Sequence, residues 1–304
     1  VLERYWDVFA WNKGELGCCT VGEHVIDTQG FPPCRAAPGR LSYWEEAEVK
    51  RQIDALVELG KMRPSNSEYA CRVTLPAKKD GSRHFCGDYR PLNAQTRRDS
   101  FPMPLVEDVI DQLGNSAWFT ALDLQSGFWQ IRMAPEDVKK IALITKTGLY
   151  DWTVMPFGLK NATSTFTRTM SNVFKDLGSK FLKVFVDDLN VHSCSWDEHL
   201  QHLDMVLCKL RGVNLKLNPN KCSFVAKSIT FLGHVVSEDG AKPDPGKIKA
   251  VLHFPQPKTV TNVKSFLGLT GYYRKYVKGY ARLAAPLFEL TRKDVDFVWD
   301  MGCQ

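Results

Sequence analysis

Apolar positions along the chain fall into two kinds of short run. Val49, Ile53, Leu56 and Val57 recur at the spacing of one helix face. Ser42 and Glu45 precede them in a capping-box pattern, and Gly60 supplies a stop. The same spacing predicts helices from about Leu105 to Leu113, capped by Gly114, and from Asn161 to Leu177 with Phe166, Met170, Val173, Phe174 and Leu177 inward. A further helix opens with the pair Ser195 and Glu198 and buries Leu200, Leu203, Leu207 and Leu210. Strand-like runs alternate with these: YACRVTLPAKK and RHFCGDYR joined through Asp80-Gly81, then WFTALDL, then FLKVFVDDLNVHS read as strand, tight turn, strand, and the hairpin ITFLGHVVSEDG. The irregular alternation predicts an α+β fold rather than a doubly wound parallel sheet. Residues 1–40 carry Gly, Pro and Cys with no sustained period and read as an extended arm or linker. From Pro243 short helices separated by prolines form a helical subdomain, with Asp244 capping one and Pro245 at its first position.

Composition narrows the class. The 304 residues are 44% hydrophobic and 24% charged, enough to bury a sizeable interior. No apolar run reaches about 18 residues and the opening lacks signal-peptide order, so neither a membrane partner nor export is expected. Nine cysteines without a CxxC pair predict reduced thiols rather than a disulfide framework or a structural zinc. The net charge of +6 is a mild pointer to a polyanionic partner. Val at the first position and the ending DFVWDMGCQ suggest a piece of something longer.

The sharpest chemical signal is Asp187-Asp188 in a turn flanked by Val184, Phe185 and Val186. A DD pair in a turn is often just a solvated loop. Here the apolar flanks crowd negative charge where burial is costly unless a divalent cation neutralises it, and Mg2+ suits oxygen ligands. Asp123 ends the hydrophobic strand WFTAL, where a third ligand from a neighbouring strand would stand. Two such metals could activate a 3′-hydroxyl and steady a departing pyrophosphate in attack on a nucleotide's α-phosphate.

The stretches EHVIDTQGFPPCR, RQIDALVELGKMRPSNS, FCGDYRPLNAQT, FTALDLQSGFWQIRM, VMPFGLKNATSTF, VFVDDLNVHS, LKLNPNKC, FLGHVV and SFLGLTGYYRKYV, in this order and spacing, resemble the reverse transcriptase of gypsy-class long-terminal-repeat retrotransposons. The resemblance extends, more distantly, to that of retroviruses. It covers nearly everything after residue 20 and implies a right-handed polymerase fold with an antiparallel palm sheet backed by helices. On that analogy 1–40 is the arm after a protease and 41–115 the fingers, with a hairpin at 78–84. Residues 116–240 are the palm with a fingers insertion at about 135–155, 241–290 the helical thumb, and 291–304 the start of a truncated connection or RNase H-like region. RNA-directed, and also DNA-directed, DNA synthesis is implied. Asp123, Asp187 and Asp188, with the backbone of Leu124 as a further ligand, would hold two Mg2+ that Mn2+ can replace.

By the same resemblance Phe128 lies where an aromatic ring excludes a 2′-hydroxyl and so selects deoxynucleotides; the alternative is that it is merely a core residue. Phe157 and Gly158, read as opening the helix after MP, match positions lining the nucleotide pocket. Lys221 matches a lysine near the triphosphate, although a lysine after an Asn-Pro turn is also an ordinary solvated charge. Lys78, Lys79, Arg83 and His84 flank the hairpin tip and would meet the triphosphate. Relatives commonly read Trp-Arg-Phe before the Cys where this chain has Arg83-His84-Phe85, and one residue of shift reverses the face in a strand. Gly87, Thr163 and Asn190 also depart from the family pattern. These departures open an alternative: a decayed or domesticated copy that only binds nucleic acid. A two-metal nuclease is a further rival that leaves Phe128 and the hairpin unexplained. Lys264, Arg274, Lys275, Lys278 and Arg282 interleave with Tyr272, Tyr273, Tyr276 and Tyr280, a mix suited to tracking a primer-template duplex. Deoxynucleoside triphosphates, an RNA or DNA template with primer, and a possible dimer with another polyprotein product complete the implied partners. Cytoplasmic virus-like particles, with nuclear delivery of the DNA product, are the implied location.

Overall fold

The structure is a computed structural model that describes residues 1–304 except 13, 77–82, 84, 115, 178 and 179. The chain forms two compact units, one of Val1–Leu105 with Ser116–Lys227, the other of Val106–Asn115 with Ser228–Gln304.

In the first unit a four-stranded antiparallel sheet runs in the order Ser223–Ala226, Trp118–Asp123, Asp188–Ser193, Leu182–Phe185. Helices Ala162–Val173 and Trp196–Gly212 back it. Leu122, Leu189 and Val191 of the sheet, Phe166 and Met170 of one helix, and Leu203, Leu207 and Leu210 of the other share one buried core. His199 is wholly buried where the pattern pointed to Leu200, which is only half-buried. Its ring is accommodated by Thr120 Oγ1 at 2.8 Å on Nε2 and Ser193 Oγ at 3.0 Å on Nδ1, so both nitrogens are satisfied inside the core.

A second, mixed sheet orders Met62–Pro64, Gly148–Trp152, Leu143–Thr145, Cys71–Thr74 and Cys86–Asp88, and its Cys71 and Leu143 strands are parallel. Tyr43–Glu58 packs beside it and has both ends as the residues dictate. Ser42 and Glu45 exchange their side-chain and backbone bonds at the start. At the end Gly60, at φ 65, lets its N–H reach Val57 O at 2.9 Å and that of Lys61 reach Leu56 O at 2.8 Å, a Schellman ending.

Residues 1–40 are more than a linker. Leu2–Val8 forms a 3-10 helix, Tyr5, Val8 and Phe9 are buried, and Glu23–His24 pairs in parallel with Arg132–Met133. These residues enter the core singly, so no period of 3.6 or 2 announces them. Among the described residues no helix is long and apolar enough to cross a membrane, and no disulfide joins the cysteines.

In the second unit the expected hairpin gains a third strand: Ser228–Phe231, His234–Ser237 and Gly240–Pro243. Pro245–Leu252 follows with Asp244 capping Gly246 N–H, then Val260–Gly271 and Tyr280–Glu289. Val263, Leu267, Ala284, Leu287 and Leu290 form their core.

Candidate active site

Strand register brings the carboxylates together. Asp188 is the cross-strand partner of Asp123, with Leu189 opposite Leu122 and Asn190 opposite Ala121. On its other side Asp188 pairs with Phe185, which leaves Val186 and Asp187 as a two-residue hairpin turn. Val186 holds φ 52, the left-handed first position that such tight turns need. A β-branched residue there stores strain of about 1–3 kcal/mol.

After Asp123 the chain turns sharply. Leu124 is buried, Ser126 takes φ 49, and Gly127–Gln130 makes one 3-10 turn that presses its backbone on the hairpin. A Cβ on Gly127 would lie 2.7 Å from Asp187 Oδ1 and 3.1 Å from the Phe166 ring. Phe128, half-buried, packs edge-on to Phe157 and Phe166 with ring centroids 5.2 and 5.3 Å away.

Charge in this corner is poorly compensated. Asp187 Oδ1 is buried without a hydrogen-bond partner. Burial, then the charges of Asp123 and Asp188, push the Asp187 carboxyl up to about 6 against the opposing pull of Lys221. Asp188 is raised too, by the protein around it and by Asp123. Lys221 places Nζ 3.3 and 3.4 Å from the two Asp123 carboxylate oxygens. Its turn is pinned to the same strand, because Asn218 N–H donates to Asp123 O at 2.9 Å and Lys221 N–H to Asn218 O at 3.1 Å. Among the described residues no three acidic, His or Cys side chains close into a ready-made cage. The orphaned Asp187 oxygen and the raised carboxyls fit a divalent cation in this corner.

Asp123, Asp187 and Lys221 face a cleft of about 890 Å³ whose walls also include Arg83, Phe157 and Trp44. Arg83 therefore stands in the wall of the carboxylate cleft. Its Nη1 donates to Leu75 O at 3.1 Å. Lys78, Lys79 and His84 lie outside the described residues. Phe157 and Gly158 do not open a helix as expected: they form a turn before it, and the helix begins at Ala162 behind Asn161. Gly158 is exposed at φ 94 and its carbonyl accepts Asn93 Nδ2 at 2.8 Å. Gly87, a departure from the family pattern, has the Tyr89 ring 2.5 Å from where a Cβ would stand, so glycine is what this packing requires. Asn190 is buried, with Oδ1 unpartnered. Sequence reading overlooked Trp44 and Gly127. The glycine inside QSGFWQ was the available signal for the second, and nothing local marked the first.

In the second unit Tyr273 turns inward: it is buried and its hydroxyl donates to Gly233 O at 2.9 Å. Tyr272 stays exposed and donates to Leu232 O at 2.6 Å. Arg274 pairs with Glu107 at 3.3 Å and Lys275 with Asp111 at 3.0 Å. Lys264 and Lys278 are exposed.

The family model described as reverse transcriptase (RNA-dependent DNA polymerase) matches residues 76–236. The retrovirus-related Pol polyprotein from transposon 297 of Drosophila melanogaster is 40% identical over 276 residues, covering 89% of this chain and 26% of that protein. The corresponding polyprotein of transposon gypsy from the same organism is 36% identical over 250 residues, covering 80% of this chain and 24% of its own length. The Transposon Tf2-3 polyprotein of Schizosaccharomyces pombe is 33% identical, covering 86% and 19%. The chain thus spans about a quarter or less of these relatives. Among solved structures, the foamy viral protease-reverse transcriptase dRH in complex with ds DNA superposes with a TM-score of 0.90 at 21% identity, covering 99% of this chain and 53% of that one. The expected polymerase architecture is therefore the fold of this chain.

Proposed function

Because this chain belongs to the reverse transcriptase (RNA-dependent DNA polymerase) family, we propose that it adds deoxynucleotides to a primer 3′-hydroxyl along an RNA template, and along DNA as well. The observation that carries this reading is the register that sets Asp188 opposite Asp123 while the turn buries an unpartnered oxygen of Asp187. Asp123, Asp187 and Asp188, with the Leu124 backbone, would hold two Mg2+, for which Mn2+ can stand in. When bound, the metal supplies charge neutralisation at the triphosphate and acidifies the primer hydroxyl.

The chain's own side chains do the rest. Arg83 and Lys221 line the cleft as cations for the triphosphate, with Lys78, Lys79 and His84 assigned to the same contact by family analogy. Phe128, braced by Phe157 and Phe166, bounds the sugar and would reject a 2′-hydroxyl. Phe157 and Gly158 border the base. Solved neighbours of this fold were captured with dsDNA and with an RNA/DNA hybrid, which supports a nucleic-acid duplex as the partner here. Lys264, Tyr272, Arg274, Lys275 and Lys278 are its proposed contacts in the second unit. Fingers, palm and thumb are the proposed roles of 41–115, 116–240 and 241–290. The proposed setting is a cytoplasmic particle.

The test is extension of a DNA primer annealed to RNA, with deoxynucleotides and Mg2+. Template-dictated products that vanish on metal omission support the reading. Tight duplex binding with no product would favour the decayed-copy alternative.

A further inference from the structure

Trp44 differs from the other exposed aromatics in what it faces. It is 58% exposed, yet its surroundings are the wall of the carboxylate cleft, shared with Arg83, Asp123, Asp187 and Lys221. Its backbone is fixed. Trp44 is the second residue of helix Tyr43–Glu58, and the first turn of that helix is locked by the reciprocal bonds of Ser42 and Glu45.

What it touches is Arg83, whose guanidinium carbon lies 5.9 Å from the indole centroid. That is within the range in which a cation is drawn to the face of an aromatic ring. The second hold on Arg83 is the Leu75 carbonyl, which takes one Nη1 hydrogen at 3.1 Å. A guanidinium carries five N–H donors in a rigid fork, so these two contacts steady the side chain and leave most of the fork for an anion. A free arginine loses rotamer freedom when it binds phosphate. An arginine already held against a ring has met part of that loss in the folded protein.

We propose that Trp44 is a positioning residue for the triphosphate contact: its indole holds Arg83 in the cleft wall, so substrate affinity rather than the chemical step depends on it. This rests on the reading of the cleft as the nucleotide site.

The experiment is a double-mutant cycle on Trp44→Ala, Arg83→Ala and the pair, with Trp44→Phe as the conservative variant. Two readouts are taken: kcat and KM for single-nucleotide incorporation, and nucleotide affinity of a complex whose primer ends in a dideoxynucleotide, so that no bond can form. Arg83→Ala is expected to weaken affinity about tenfold or more, as loss of a charge-assisted phosphate contact does. Trp44→Ala is expected to raise KM about two- to fivefold with kcat unchanged, the scale of an exposed cation–ring contact. Trp44→Phe should restore most of the affinity, and the double variant should match Arg83→Ala alone. An equal penalty from Trp44→Ala in the Arg83→Ala background, a fall in kcat at unchanged affinity, or no effect would overturn the proposal. If Arg83→Ala leaves affinity unchanged, Arg83 has no triphosphate role and the proposal fails with it. If the wild type binds nucleotide in the terminated complex yet joins none, the polymerase reading fails while the cycle still reads the pairing. No nucleotide binding by the wild type overturns both.

Discussion

The Gly127 backbone lies against Asp187, so close that a Cβ at 127 would stand 2.7 Å from Asp187 Oδ1. The turn that follows Asp123 therefore fixes the position of a carboxylate carried by a different hairpin. Gly127→Ala must displace either that carboxylate or the Phe166 ring at 3.1 Å. The expected cost is about 1–3 kcal/mol of stability from overpacking. Activity should fall on the order of 100-fold, since small misplacements of reacting groups have that effect. Denaturant unfolding and primer extension on the same preparation check it. Unchanged extension would show that Asp187 has room to spare.

A carboxyl raised to about 6 makes Asp187 a destabilising charge in the metal-free protein. Between its ordinary value and about 6 the folded state binds the extra proton, so this group's contribution to stability declines as pH rises through that window. Asp187→Asn is thus expected to be more stable than wild type at pH 7.5 by about 1–3 kcal/mol. The difference should vanish near pH 3.5, and Mg2+ should narrow it by stabilising only the wild type. Melting curves at the two pH values, with and without Mg2+, decide. A variant less stable than wild type at neutral pH would refute the assignment.

Burial holds His24, His192 and His199 near a value of about 4, well below an exposed imidazole. Here the sign is opposite. The unfolded chain takes up the protons first, so stability is complete above about 6.5 and is lost as pH falls toward 4. The loss should be on the order of 2 kcal/mol per histidine. Asp187 offsets only a part of this, so the net midpoint in denaturant should drop between pH 7 and 4.5.

Phe128 is braced edge-on by the rings of Phe157 and Phe166. If it bounds the sugar, Phe128→Val should let ribonucleotides compete better by about tenfold or more, because the discriminating element is a clash rather than an attraction. Competition between ribo- and deoxynucleotides at one template position measures it. Unchanged selectivity would return Phe128 to a packing role.

Tyr273 donates to Gly233 O from a buried position, and Gly233 holds φ 72 with the Tyr273 hydroxyl 2.8 Å from where a Cβ would stand. Tyr273→Phe should lower the stability of the second unit by about 1 kcal/mol, the value of one buried hydrogen bond. Duplex affinity should stay unchanged. A large loss of affinity at unchanged stability would mean the hydroxyl reaches the nucleic acid instead.

Local signals were legible to the degree that they were self-contained. The pairs Ser42–Glu45 and Ser195–Glu198 both form their reciprocal caps, because the partners are three residues apart and need nothing else. The turn expected at Asp187-Asp188 falls one residue earlier, at Val186-Asp187, because Asp188 is already paired with Phe185 and Asp123 in the sheet. Asp123 could be nominated as the third acid from its place at a strand end, but its register against Asp188 is a non-local fact that only the sheet supplies. What went unread depends on such distant partners. The arm residues Tyr5, Val8 and Phe9 enter the core without a period. Tyr273 faces inward because a strand turn 40 residues earlier receives its hydroxyl. Strand parity alone left Arg83 in doubt, whereas its contacts with Trp44 and Leu75 come from other elements.

The most direct measurement is single-nucleotide incorporation on an RNA template by wild type and Asp187→Asn, each assayed for duplex binding on the same substrate. The account expects templated addition by the wild type, none by the variant, and equal binding by both. Equal incorporation by the variant, or a wild type that binds and never extends, would contradict it.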